Sequence, residues 1–248
     1  MNSSNKVGDL LVQGGQDEDP QAIILTRAYQ YGLETVGTLI QLASDVEHSQ
    51  SMAVITRPFF EFSTRLLWAS RISLGWNRLQ AYYANEDFKW AKEAMDLDGW
   101  KELAGSVKQK SEEVLRRTAN GKRIPLIPDM RTLLREIEEC DQHFGMHSGE
   151  EGEAAYQYSM IWKVLSGFTH THVVTIAMAK KPIVAYACYC FALATFSLLK
   201  ATIVLVSASE DAMRGETKKL ESYWCSVILA AHTSRETDNA RGAESIAS

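Results

Sequence analysis

From Ile183 to Leu199 the chain runs 17 residues without a charged side chain, and after Lys200 the apolar character continues through Ala201 to Ser209. A helix that is apolar on every side must be buried, either in a protein core or in a bilayer. A membrane span needs about 20 predominantly apolar residues, so length alone leaves both solutions open. Lys200 in mid-run and the hydroxyls of Tyr186, Tyr189, Thr195, Ser197 and Thr202 favour a core. No other segment is comparably apolar. The expectation is an all-α fold, a single bundle of six to eight helices around this central helix, with mainly antiparallel neighbours. A membrane-anchored protein is the competing outcome.

A second segment, Ser51 to Trp76, is also apolar nearly all round. Ile55, Phe59, Phe62 and Leu66 cover one side, Phe60 and Leu67 another, and Val54, Trp68 and Ile72 a third. Arg57, Glu61 and Arg65 lie one turn apart between these apolar stripes, and buried charges must be paired. The alternative is an ordinary salt-bridge ladder on an exposed face. A third segment, Tyr156 to His172, reads as a helix with Ile161, Val164, Leu165, Phe168 and Ile176 on its core arc. Trp162, Ser166 and His170 form a separate stripe at four-residue spacing, so the hydroxyl and imidazole can share a hydrogen-bonding partner.

The remaining chain fits around these three. Residues 1–20 and 233–248 read as polar tails, with one domain over 21–232. The start of the chain does not resemble a signal peptide. Gln21 to Glu47 is a first helix, with Ile24, Ala28, Tyr31, Thr35, Leu39 and Leu42 inward and Glu34 available to an arginine. The apolar pattern after Trp76 continues to Met95, as one long helix or two collinear ones. Pro58 marks a first turn or a kink. Asp98–Gly99 opens a helix to about Thr118, Pro128–Asp129 starts another to about Cys140, and Glu216 to His232 is the last. Lys180–Lys181–Pro182 interrupts before the apolar run.

Several clusters have a bland reading beside a chemical one. Cys140, His143 and His147 have helical spacing for a metal, but Gly145 lies inside the set and no fourth ligand is specified. They read first as a helix end with surface histidines. Cys140, Cys188, Cys190 and Cys225 show neither zinc-ribbon nor disulfide-framework spacing. They are expected to be buried free thiols in a reducing cytoplasm. Between Lys101 and Arg135 there are nine Lys/Arg against four Asp/Glu, the one basic region, read as a solvated helix face. The net charge of −5 counts against a dedicated nucleic-acid binder.

The pair of motifs Arg57-x-x-x-Glu61 and Trp162-x-x-Leu165-Ser166-x-x-x-His170 resembles a bacterial all-helical family without an assigned activity. Its members pair an Arg-x-x-x-Glu helix with a Tyr-x-x-Leu-Ser-x-x-x-His helix. Here Trp162 holds the tyrosine position and Tyr158 sits one turn earlier. The family is similar to the HEPN group of nucleotide-binding and ribonuclease domains, whose signature is Arg followed by four to six residues and His. No Arg in this chain precedes a His at that spacing.

The expected function is a ligand-sensing or protein-interaction module, without cofactor or metal. Arg57, Glu61, Ser166 and His170 would form an internal polar cluster that contacts a small anionic ligand or a protein partner. The competing reading is a HEPN-like nuclease or phosphotransfer enzyme of a stress or phage-defence system. His170 would then be the general acid or base, Glu61 its orienter and Arg57 the phosphate clamp.

Overall fold

The computed structural model describes residues 20–43, 49–119, 127–141, 144, 152–170, 180–206, 222 and 226. Among them the chain forms seven helices and no strands, an all-α multi-helix bundle. We number them α1 (Pro20–Ala43), α2 (Ser49–Arg71), α3 (Gly75–Ala94), α4 (Lys101–Ala119), α5 (Met130–Cys140), α6 and α7 (Lys180–Val206). The sixth, α6, is composite: an α-turn Gly152–Tyr156, a π-segment Gln157–Trp162 and a further α-segment Lys163–Thr169.

The two most apolar helices pair with each other. α2 packs along the length of α7, and Phe59 stacks on Phe191 at 4.9 Å between ring centroids. Phe59, Phe60, Leu66, Leu67 and Trp68 of α2 are fully buried. On α7 the burial continues on all sides from Ile183 to Ala201, apart from the edges at Val184, Ala185, Cys188, Thr195 and Lys200. This is how a helix with no polar face satisfies its surface in a bundle. Ile183–Thr202 is long and apolar enough to cross a membrane by length and composition, and 72% of that window is buried inside the protein. Lys200, the charge that interrupts the run, reaches Asp141 Oδ2 at 3.3 Å, where Arg71 of α2 also donates at 2.9 Å. A carboxylate at the end of α5 thus neutralises the cations of two core helices.

The break after α2 replaces the long or collinear helix expected from the pattern. Helix α2 ends at Arg71, and Leu74 adopts a left-handed backbone with φ 59°. Gly75 then starts α3 so close to α2 that a Cβ there would lie 2.6 Å from the Ala69 carbonyl oxygen. Only a glycine permits that approach, because the obstacle is main chain. Leu74 is 70% exposed and its side chain contributes little packing. Left-handed backbone costs a non-glycine residue roughly 1–2 kcal/mol. Leu74→Gly is therefore expected to stabilise the fold by about 1 kcal/mol, read as a rise in denaturant midpoint at unchanged slope.

Pro58 lies well inside α2 rather than in its first turn, on an exposed position. Pro182 falls in the first turn of α7, where a missing N–H is harmless, so Lys180–Lys181–Pro182 begins that helix instead of interrupting before it. The inner side of α1 matches expectation at Ala28, Thr35 and Leu39, while Tyr31 is half exposed against the edge of Phe59 and Glu34 is exposed. Helices α3 and α4 form a hairpin with its own small alanine core of Ala91, Ala94 and Ala104. Its tip exposes Leu97, Trp100 and Leu103.

Of the three expected buried thiols among the described residues, Cys190 is buried and Cys140 and Cys188 are exposed. Neighbours two apart on a helix point to different sides, so only one of that pair can face the core. Residues 1–19, the Glu216 to His232 helix and Cys225 lie outside the described residues, except Ser222 and Ser226.

Candidate functional site

The two motif helices touch. Arg57 and Glu61 sit one turn apart on α2, and Trp162 and His170 are carried by α6. Glu61 is the hub. Its Oε1 accepts from Arg57 Nε at 3.0 Å and from the Trp162 indole N–H at 3.0 Å. Its Oε2 lies 3.5 Å from Arg65 Nη2. The Arg57 and Glu61 side chains are 19% and 18% exposed, so the pair is partly buried at the rim of the core and not sealed within it. Phe59 and Phe60 point inward from the same turns, which leaves the charged stripe at the helix edge.

Arg57 also faces His170. Its Nη1 stands 3.4 Å from His170 Nε2, at an exposed position. Its guanidinium carbon is 6.0 Å from the centroid of the Trp162 ring. Arg65 extends the network in the other direction. It lies over the Tyr82 ring at 5.3 Å, beside Tyr83. Burial pushes the Tyr83 phenol up, and the Arg65 guanidinium partly opposes that rise.

Ser166 does not join the other three. Its hydroxyl makes no hydrogen bond to Arg57, Glu61 or His170, and only its carbonyl meets His170, accepting the backbone N–H at 2.9 Å. The helix also stops earlier than the sequence pattern suggests. It ends at Thr169 with His170 as its C-cap, and residues 171–179 lie outside the described residues. His170 is thereby placed at a helix end rather than on a continuous stripe.

The Trp162 indole N–H donates to the Glu61 carboxylate, as a phenolic O–H would. Tyr158 stacks behind it at 5.3 Å and 12° between planes. Both belong to the π-segment, in which the Lys163 N–H bonds the Tyr158 carbonyl five residues back. The Tyr186 hydroxyl of α7 donates to the Met160 carbonyl, with the Ile161 carbonyl 3.3 Å away, and so pins this turn to the core. π-turns of this kind recur at functional sites.

Sequence reasoning passed over a buried polar group on the inner side of α6. Glu153 is 2% exposed and accepts from Gln157 Nε2 at 2.7 Å. Gln157 is fully buried, and Tyr156 hydrogen-bonds the buried Tyr189 of α7. Burial pushes the Tyr189 phenol up. Glu153 and Gln157 are four apart, the spacing of a helical pair, and that was the available signal. They lie in a segment that reads as a loop-to-helix transition.

The Cys140, His143, His147 set is not assembled among the described residues. His143 and His147 lie outside them and Cys140 is exposed. No group of three or more His, Cys, Asp or Glu is arranged to hold a metal ion among the described residues. No family model, curated protein or solved structure matches this chain.

Proposed function

We propose that this protein is a ligand-sensing helical module in which Arg57 and His170 receive a small anionic group. One observation carries the reading: Glu61 grips Arg57 through Nε, while Nη1 is turned toward the exposed His170 ring at 3.4 Å. A guanidinium held on one edge is pre-organised to hydrogen-bond an anion with the other. The Trp162 and Arg65 contacts keep Glu61, and through it Arg57, from turning away. The apposition of the two motifs supports the resemblance to the bacterial all-helical family. Free thiols at Cys140, Cys188 and Cys190 support a reducing, cytoplasmic setting.

The test is titration of the full chain with inorganic phosphate, followed by the His170 ring signals in NMR. They are expected to shift in a saturable way, and Arg57→Met is expected to abolish the shift. Ring signals that stay fixed at saturating salt-matched phosphate would sink the proposal.

The phosphotransfer reading draws on the same Arg57–His170 approach, which sets an imidazole beside a phosphate clamp. Glu61, however, hydrogen-bonds Arg57 and Trp162 and not His170, so it does not orient that imidazole. Turnover of a phosphodiester by wild type that is lost in His170→Ala would favour the enzyme over the sensor.

A further inference from the structure

We infer that the groove between α5 and α6 is a second anion site, separate from the Arg57 cluster, that takes a small phosphate monoester. The groove is an open cleft of about 380 Å³. That lies at the lower end of the roughly 300–1,000 Å³ typical of small-molecule sites. Its shape follows from residue size. Ala154 and Ala155 of α6 leave the floor low, while Arg131 and Arg135 of α5 and Lys163 of α6 stand along the walls. Arg131 and Arg135 are one turn apart, so they present their charges to the same groove.

The charge in this cleft is unbalanced. Three cations face one carboxylate, Glu138, and that carboxylate is already engaged. Its Oε1 accepts the Ala154 backbone N–H at 3.1 Å and closes the first turn of α6. Gly152 lies beside it with φ 75°, a left-handed backbone that favours glycine. Arg135 approaches Glu139 at 3.9 Å, with both side chains largely exposed. Among the described residues neither Arg131 nor Lys163 forms an ion pair. Each lies over the Tyr158 ring instead, at 5.7 Å and 5.2 Å from its centroid. Cation–π contact holds both side chains over the groove without neutralising them. Among the described residues, a chain with net charge −5 thus gathers positive charge in excess of its carboxylates in one concave place.

The chemistry of the walls selects the ligand class. Paired guanidinium groups match the geometry of a phosphate, and a lysine adds a point charge. The Ser159 hydroxyl makes no hydrogen bond among the described residues and is available as a donor. The Thr132 hydroxyl donates to Asp129 Oδ2 at 3.1 Å, so toward the cleft it offers lone pairs to a ligand hydroxyl. The small volume fits a monoester rather than a nucleic-acid strand. The site also has a route to the first one: Tyr158 stacks on Trp162, which hydrogen-bonds Glu61.

The experiment is calorimetric titration of the full chain with phenyl phosphate and, separately, inorganic phosphate at constant ionic strength. Saturable binding of phenyl phosphate is expected. Arg131→Gln and Lys163→Gln are each expected to weaken it at least about tenfold, the loss of one charge-assisted hydrogen bond. Arg131 and Lys163 are exposed, so both variants retain the fold, which their melting curves check. In the Arg57→Met variant, where the first cluster no longer contributes, saturable binding of phenyl phosphate is expected to persist. Absence of saturation, or binding insensitive to Arg131 and Lys163, overturns the inference. Loss with Arg57→Met alone would assign the anion to the first cluster instead. Inorganic phosphate binding the Arg57→Met variant as tightly as the ester would overturn the choice of a monoester.

Discussion

Trp68→Ala is expected to destabilise the protein by about 3–5 kcal/mol, the range for truncating a buried aromatic. Trp68 is fully buried and heads the largest side chains of the core. Its loss opens a cavity where α3 and α5 pack on α2. Two further contacts go with it. The indole N–H donates to Glu136 Oε2 of α5 at 2.7 Å, and the Arg78 guanidinium of α3 lies over its ring at 4.7 Å. One side chain of α2 therefore ties α3 and α5 to the core. At this chain length the midpoint should fall by roughly 6–20 °C. Trp68→Phe separates the terms: it keeps most of the volume and removes the donor. A Trp68→Ala midpoint within about 2 °C of wild type would show that Trp68 is not the packing centre of this interface.

Glu61→Gln should be the next most damaging change, at about 2–3 kcal/mol. Breaking a fully buried ion pair costs roughly 3–5 kcal/mol, and the partial exposure of Arg57 and Glu61 reduces that figure. Glutamine removes the negative charge that Arg57 and Arg65 share, and it leaves the Trp162 N–H competing for a single amide oxygen. The double variant Arg57→Met, Glu61→Gln should recover only part of the loss, because Arg65 and Trp162 remain without their carboxylate. Thermal melts of the two singles and the double form the cycle. If the singles melt at or above wild type, the cluster is not a structural brace. Stability would then be traded for binding, as sites commonly do.

These two variants also separate structure from function. Trp68 lies away from the Arg57 and His170 groups, so its replacement should weaken the fold without altering anion recognition in the surviving native state. Glu61→Gln should do both, since the carboxylate that stabilises the network is also the one that aims Arg57.

Much of the architecture was legible in one dimension. The uncharged run from Ile183 demanded burial on every side, and the all-round apolar pattern of Ser51 to Trp76 demanded the same, so the two were natural partners. Helix boundaries carried local signals. Asp129 caps α5 by accepting from the Arg131 and Thr132 amides, and those bonds hold its carboxyl below the usual range. The break at Leu74 was harder to see. A leucine gives no warning of left-handed backbone, and the apolar period runs through it from Trp68 to Leu79. The turn is imposed by the need of α3 to fold back against α2, with Gly75 as the one local hint.

The candidate site was legible as residue types and spacing, and only partly as geometry. Arg57 and Glu61 pair because α-helical spacing places them one turn apart, a local property. Trp162 reaching Glu61 across 101 residues of sequence is not local, and Ser166 stays outside the network although it shares a spacing with Trp162 and His170. The π-segment of α6, anchored by Tyr186 of a helix that comes later in the chain, sets how that helix presents Trp162 to α2. The C-cap at His170 ends the stripe. The basic region read as a solvated face divides in space, with Arg131 and Arg135 lining a groove whose other wall is α6. Composition and periodicity determined that this chain folds as helices around an apolar centre, because hydrophobic burial acts through patterns that are short in sequence. Which charges meet, which face water and where a cleft opens were decided by tertiary packing, because those depend on side chains from helices far apart in the chain.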